Sequence, residues 1–214
     1  MKALDLFCCA GGASEGLALA GFDVQGVDRE DQPEYRHCFT QADVLSLVPS
    51  FLRQFDLVWA SPPCQGFTAY KRRPGHVAPM ANLIPQTRDL LRAAGVPYII
   101  ENVPGAPLES PVTLCGSMFG LDVQRHRNFE TSFAVTPPPC RHDVWTPRFP
   151  PATNRTNLRK TVEVGVWRIP LETQRKAMGI DWMSLEKLSQ AIPPAYAEWL
   201  GRAARAHIES ARAA

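Results

Sequence analysis

Short apolar blocks alternate with turn-marked polar stretches along the first hundred residues. Ala3–Phe7 reads as a strand and Ala13–Ala20 as a helix that stops at Gly21. Val24–Val27 reads as a second strand ending at Asp28, and Phe55–Ala60 as another, broken by Ser61-Pro62-Pro63. Leu83–Ala94 has helical spacing and ends at Gly95; Pro97–Ile100 is a strand closed by Glu101-Asn102. Strands of this length alternating with helices predict a doubly wound, mostly parallel α/β sheet covered on both faces. The pattern then breaks: six of the fifteen residues from Pro137 to Pro151 are proline, which reads as an irregular insertion. Regularity returns near Pro170, with a helix around Glu172–Met178 and a final amphipathic helix from Ala195.

Composition narrows the class without naming a partner. The 214 residues, 45% hydrophobic and 21% charged, suit one α/β domain with a sizeable core. A net charge of +2 is too small for the whole-molecule field to demand a polyanion, so any basic surface is local. The start lacks a signal-peptide pattern, and no stretch approaches the roughly 20 apolar residues of a membrane span. A cytoplasmic setting with reduced thiols and no membrane partner is therefore expected. The six cysteines, Cys8, Cys9, Cys38, Cys64, Cys115 and Cys140, do not pair at C-x-x-C spacing. Cys140 and His142, with Cys115 upstream, lack a second ligand pair of the usual kind, so no metal site is expected.

Ligands of open α/β sheets sit at the carboxyl ends of the strands, which selects four loops: Cys8–Ser14, Asp28, Ser61–Gly66 and Glu101–Pro104. The first opens a helix whose N–H groups can receive an anion such as a cofactor carboxylate, with Gly11 and Gly12 allowing close backbone approach. Asp28 ends the next strand, where an acidic residue typically holds ribose hydroxyls. Cys64 in "ASPPCQGFT" follows a strand end, with two prolines stiffening the approach, which suits a nucleophile. Glu101 in "IIENV" leaves a neighbouring strand and can face the same crevice. A thiol beside such a carboxyl fits attack on an electron-poor aromatic ring.

The ordered segments "DLFCCAGGASEGL", "SPPCQGFT", "ENV", "RHRNFET" and "LSQAIPPAYAEWLG" resemble the motifs of the C5-cytosine DNA methyltransferases, over Leu4 to about Gly201. The resemblance implies a Rossmann-like methyltransferase sheet, and an enzyme moving a methyl group from S-adenosylmethionine to cytosine C5. Phe7, Cys9, Ala10, Gly11 and Gly12 would wrap the methionine end of the cofactor. Asp28 would bind the ribose and Asp43 the adenine amino group, with Pro63, Leu83 and Gln190 completing the pocket. Cys64 would add to C6 of a flipped cytosine while Glu101 bonds N3 and the exocyclic amine. Methyl transfer, loss of the C5 proton and β-elimination would then release 5-methylcytosine and S-adenosylhomocysteine. Flipping is required because C6 inside a stacked duplex is beyond a thiol's reach. Arg125 and Arg127 match the family's paired arginines and would support the flipped base. Glu172, Arg175 and Gly179 resemble the motif that organises the recognition region. Lys71, Arg72 and Arg73, following the nucleophile, would contact phosphates of double-stranded DNA.

Several positions depart from the family pattern. Cys9 replaces a glycine, Val123 a glutamine, and Ser189-Gln190-Ala191-Ile192-Pro193 replaces Gly-Asn-Ser/Ala-Val-Pro. The turn at Cys9 is expected to need no positive φ, so that a small side chain is tolerated. Residues 1–132 would form the catalytic and cofactor-binding domain, 133–167 a reduced target-recognition region, and 168–214 a segment returning to the catalytic domain. The short region carries Arg141, Arg148, Arg155, Arg159 and Lys160, with Arg168 just beyond, against Asp143 and Glu163, plus Trp145. That suits phosphate and a few base-edge contacts, hence a short or relaxed target sequence. The compact size resembles phage and bacterial members, acting as a monomer in the bacterial or phage-infected host cell. Methylation of tRNA-type RNA, or nucleic-acid binding without turnover, are the alternatives.

Overall fold

The computed structural model describes residues 1–64, 67, 82–142 and 161–213. Seven strands form one sheet in the order β3-β2-β1-β4-β5-β7-β6. In chain order these are β1 (Lys2–Leu6), β2 (Asp23–Asp28), β3 (Cys38–Gln41), β4 (Leu57–Ala60), β5 (Tyr98–Asn102), β6 (Val112–Leu114) and β7 (Arg127–Thr131). The first five in chain order are parallel, with β1 between β2 and β4. The helices are α1 (Gly12–Leu19), α2 (Pro49–Leu52), α3 (Ile84–Ala94), α4 (Leu171–Met178), α5 (Leu185–Gln190) and α6 (Pro194–Ala213).

The expected strands are all present, each within two residues of its sequence-derived ends. β1 and β4 are buried on both faces, as continuous apolar strands in a parallel sheet are. One sheet face packs with α1 and α6 around Trp59, Phe129 and Tyr196. The other buries Leu4, Leu6, Val58, Ile100 and Leu91 of α3. Helix α6 returns the C-terminus onto α1 very closely: a Cβ on Gly16 would lie 2.1 Å from the Pro194 carbonyl oxygen. Among the described residues no helix is long and apolar enough to cross a membrane.

Three strands had no clear signature. β3 is an edge strand with little burial, so it carries no apolar block. β6 and β7 form an antiparallel hairpin added beyond β5, which makes the sheet mixed rather than wholly parallel. β7 reads Arg-Asn-Phe-Glu-Thr, in which the buried Glu130 is neutralised by Arg88 of α3 at 2.7 Å. A strand whose inward positions include a paired carboxylate does not show hydrophobic alternation. Glu101 and Asn102 also lie inside β5 rather than after it.

Candidate active site

The strand register places the reactive loops side by side. Ala60, the end of β4, pairs with Leu6 of β1 on one side and Ile100 of β5 on the other. Ser61–Cys64 therefore leaves the sheet between the glycine loop and Glu101. Three hydrogen bonds fix that exit: Ser61 N–H to the Leu6 carbonyl at 3.0 Å, Trp59 Nε1–H to Ser61 Oγ at 2.9 Å, and Asn102 Nδ2–H to the Pro62 carbonyl at 2.8 Å. The Asn102 bond to the Pro62 carbonyl ties this loop to β5.

Cys64 is half-buried, and Glu101 is 8% exposed. The Glu101 carboxylate meets Arg127 Nε at 3.2 Å. Burial raises the Glu101 carboxyl above its ordinary range, while Arg127, Arg125 and the Ser61 hydroxyl pull it back down. Burial also raises the Cys64 thiol, with the Glu101 charge adding to it and the two arginines opposing. At neutral pH the free protein thus holds Cys64 as a thiol beside a carboxyl that binds its proton more tightly than usual.

These groups open onto a cleft of about 680 Å³, including its mouth, bounded opposite by the glycine loop and the Gln190–Ile192 segment. Gly11, at φ +84, turns the chain into α1. Gly12 leaves no room for a side chain, because a Cβ there would lie 2.6 Å from the Ile192 carbonyl oxygen. Trp182 Nε1–H holds the Ala10 carbonyl at 3.0 Å from the C-terminal part of the chain. Asp5, at the cleft wall, is fully buried; Ser14 Oγ donates to its Oδ2 at 2.6 Å, whereas its Oδ1 has no partner among the described residues. Burial pushes the Asp5 carboxyl up to about 7 against the Ser14 hydroxyl, and the Asp28 charge adds to the rise.

The C-5 cytosine-specific DNA methylase family model matches residues 1–109, which contain the glycine loop, Cys64 and Glu101. The chain belongs to that family. A type II methyltransferase of Thalassovita gelatinovora is 31% identical over 122 residues, covering 49% of this chain and 28% of the relative. The chain thus matches little more than a quarter of that relative's length. A solved chain described as a DNA modification methyltransferase encoded within an E. coli prophage matches with TM-score 0.62 at 16% identity, over 98% of this chain and 99% of that one. The methyltransferase EhMeth of Entamoeba histolytica (TM-score 0.59, 10% identity, 97% and 98% covered) shares the fold. So does Dnmt2 of S. pombe (TM-score 0.57, 13% identity, 94% and 97% covered).

Most of the family's expected positions converge on the one cleft. Phe7, Cys9, Ala10, Gly11, Gly12, Pro63, Cys64, Glu101, Arg127 and Gln190 all line it. Asp28, Asp43, Leu83 and Arg125 do not. Asp28 instead secures the glycine loop: its Oδ2 accepts from Cys9 N–H and its Oδ1 from Glu30 N–H, both at 3.0 Å. Each of those oxygens keeps a further lone pair for a hydroxyl. Asp43 caps a short 3-10 turn by accepting from Leu45 N–H at 2.9 Å, and Leu83 is the half-buried residue preceding α3.

Arg125 acts on the chain rather than in the cleft. Its Nε donates to the Ala191 carbonyl at 2.8 Å and its Nη2 to the Ser189 carbonyl at 2.6 Å, bracketing Gln190. Burial, then Arg127, pushes its guanidinium down to about 9, with Glu101 opposing. The backbone there is strained, with φ +39 at Arg125, and the Tyr196 hydroxyl donates to the Arg125 carbonyl at 3.0 Å.

The expectation for Cys9 is overturned. Its φ is +46, and Phe7 is also left-handed at +59. The loop does require the conformation that glycine takes freely, and Cys9 holds it under strain, secured by the N–H bond to Asp28.

Sequence reasoning missed Asp5, Asn102, Trp182, Met183 and Lys187; Asp5, Met183 and Lys187 line the cleft. Asp5 follows from strand position alone: a carboxylate inside a buried apolar strand is costly unless it has work to do. The segment around Glu172 is knit by local hydrogen bonds. Arg175 ties Glu172 at 2.6 Å to the Met183 carbonyl at 2.9 Å. Gln174, which carried no signal, accepts from Gly165 N–H at 2.7 Å and donates to the Ile169 carbonyl at 2.7 Å. Lys71, Arg72, Arg73 and the basic residues from Arg148 to Lys160 lie outside the described residues.

Proposed function

We propose that the chain methylates C5 of a cytosine flipped out of double-stranded DNA, through a covalent adduct with Cys64. The reading is carried by one observation: Cys64, the Glu101–Arg127 pair and the glycine loop line a single cleft. S-adenosylmethionine fits the donor role, because its chemistry matches what the cleft offers. The glycine loop lines the cleft with backbone, and the orphaned Asp5 Oδ1 suits a cationic donor such as an α-ammonium. Bound there, the cofactor supplies an electrophilic methyl carbon.

The residues divide the remaining work. Burial raises the Glu101 carboxyl, so it takes up a proton more readily than a free glutamate and can pass one to cytosine N3 as the base binds, which makes C6 electrophilic. Cys64 loses its proton and forms the Sγ–C6 bond, leaving electron density at C5 for the methyl group. A water takes the C5 proton as the C6–Sγ bond breaks and the Cys64 thiolate leaves, and N3 returns its proton to the Glu101 carboxylate, which restores the neutral aromatic ring. Arg127 keeps Glu101 oriented, and Arg125 holds the Gln190 segment closed on the cofactor side. The insertion around residues 133–167 would read only a short or relaxed sequence.

Labelled S-adenosylmethionine, offered with duplex DNA and separately with tRNA, tests the proposal. It requires label in DNA as 5-methylcytosine. Label confined to tRNA, or to neither, would overturn it.

A further inference from the structure

The structure assigns a metal site outside the cleft: Cys115, His126, Cys140 and His142 converge as a Zn²⁺ centre. Their four donor atoms all lie within 4.8 Å of one another. Cys115 follows β6, His126 precedes β7, and Cys140 and His142 follow β7. The β6–β7 hairpin therefore brings together ligands that are widely and irregularly spaced along the chain. His126 is the partner that the Cys140–His142 pair lacks in sequence, and it is invisible there because it sits inside the arginine motif.

The spacing of the donors fits a tetrahedral ion. Zinc bonds of about 2.3 Å to sulfur and 2.0–2.1 Å to nitrogen require sulfur–nitrogen edges of about 3.6 Å. Cys115 Sγ lies 3.4 Å from His142 Nε2, and Cys140 Sγ lies 3.5 Å from His126 Nε2. Another of the four such edges, Cys140 Sγ to His142 Nε2, is 2.8 Å and would lengthen on coordination. The His126 and His142 rings are steeply inclined, at 79°, with centroids 5.0 Å apart, so each can aim one nitrogen at a common centre. Two soft thiolates with two imidazoles favour Zn²⁺ over hard cations. Binding releases one proton from each thiol to solvent, and the two thiolates balance the dication.

The surroundings support the ligands and show what the ion would do. Ser117 Oγ donates to Cys115 Sγ at 3.2 Å and accepts from Arg141 N–H at 3.1 Å, joining both ligand-bearing segments. His126 stands between Arg125 and Arg127, so a metal on its ring anchors the strained backbone that presents both arginines. The same ion ties down the chain at Cys140 and His142, in the first part of the 133–167 insertion. It is a structural staple between the active-site arginines and the root of the recognition region.

The test is zinc content and cobalt spectroscopy on the full chain, purified without chelator under reducing conditions. One zinc per chain is expected in the wild type, retained in Cys38→Ser, an exposed cysteine elsewhere. Cys140→Ser and His142→Ala should each lose most of it. Co²⁺ bound to the wild type should show thiolate charge-transfer bands and the visible bands of a tetrahedral site, which decides the matter even if a ligand variant does not fold. Substoichiometric metal after reconstitution with zinc chloride, a cobalt spectrum without thiolate bands, or recovery of a Cys115–Cys140 disulfide in place of metal would overturn the assignment.

Discussion

Replacing Asp5 by Asn tests whether the cleft wall carries a buried, titrating carboxyl. The side chain has no exposure, and its carboxyl rises from 3.8 to about 7, so the folded protein keeps a proton that the unfolded chain has released. Between those two values the folded state binds more protons than the unfolded state, and stability falls as pH rises. At 1.36 kcal/mol per unit, the shift from 3.8 to about 7 makes a difference of about 4 kcal/mol, complete once pH exceeds 7. Asn carries no such dependence. It leaves an amide donor where Oδ1 has no partner, a pH-independent cost of about 1–3 kcal/mol. Urea unfolding of both proteins from pH 4 to 8 should therefore show the variant gaining on the wild type by about 1.4 kcal/mol per pH unit up to pH 7 and levelling off above. The same variant should bind S-adenosylhomocysteine or S-adenosylmethionine more weakly by roughly tenfold or more, since a charged hydrogen-bond partner is lost. A stability difference that stays flat across this pH range would refute the buried carboxyl.

Arg125→Met should weaken cofactor binding by up to about 30- to 150-fold, the ceiling set by two donors worth about 1–1.5 kcal/mol each that hold the Gln190 segment in the free protein. Titration calorimetry measures this, and unchanged cofactor affinity with abolished methyl transfer would return Arg125 to a direct role on the base. Cys9→Gly should stabilise the protein by up to about 1 kcal/mol in denaturant melts by releasing the φ of +46; a clear loss of stability would mean that the Cys9 side chain itself holds the loop. Glu101→Gln should lower methyl transfer by about 10²–10⁴-fold. It should also speed alkylation of Cys64 by iodoacetamide at fixed pH, because the Glu101 charge that raises the thiol is gone; slower alkylation would contradict that electrostatic assignment.

How much of this was legible in the sequence depended on what kind of force set each feature. The parallel strands were legible because burial on both faces writes continuous apolar runs, as in Leu57–Ala60. Cys64 and Glu101 were legible because strand ends and turn residues mark the crevice. The hairpin was not, since Phe129 is flanked by Asn128 and a Glu130 buried on Arg88, and no local pattern announces an ion pair formed with a helix 42 residues away. Arg125 was assigned to the base from its motif, whereas its hydrogen bonds run to residues more than 60 positions on. The conformation of Cys9 is not legible, because a non-glycine residue argues against a positive φ whereas a tertiary bond to Asp28 holds this cysteine there. Cys115, Cys140 and His142 are visible as a possible ligand set in the sequence, but His126 joins them only through the β6–β7 hairpin, which no local pattern announces.

Covalent trapping tests the central claim most directly. Duplex DNA carrying 5-fluorocytosine, incubated with S-adenosylmethionine, blocks the final deprotonation and should leave the wild-type chain covalently bound to DNA. Cys64→Ala should bind the same DNA and form no such complex. Absence of the adduct with wild type, while DNA and cofactor are both bound, would contradict a mechanism built on Cys64.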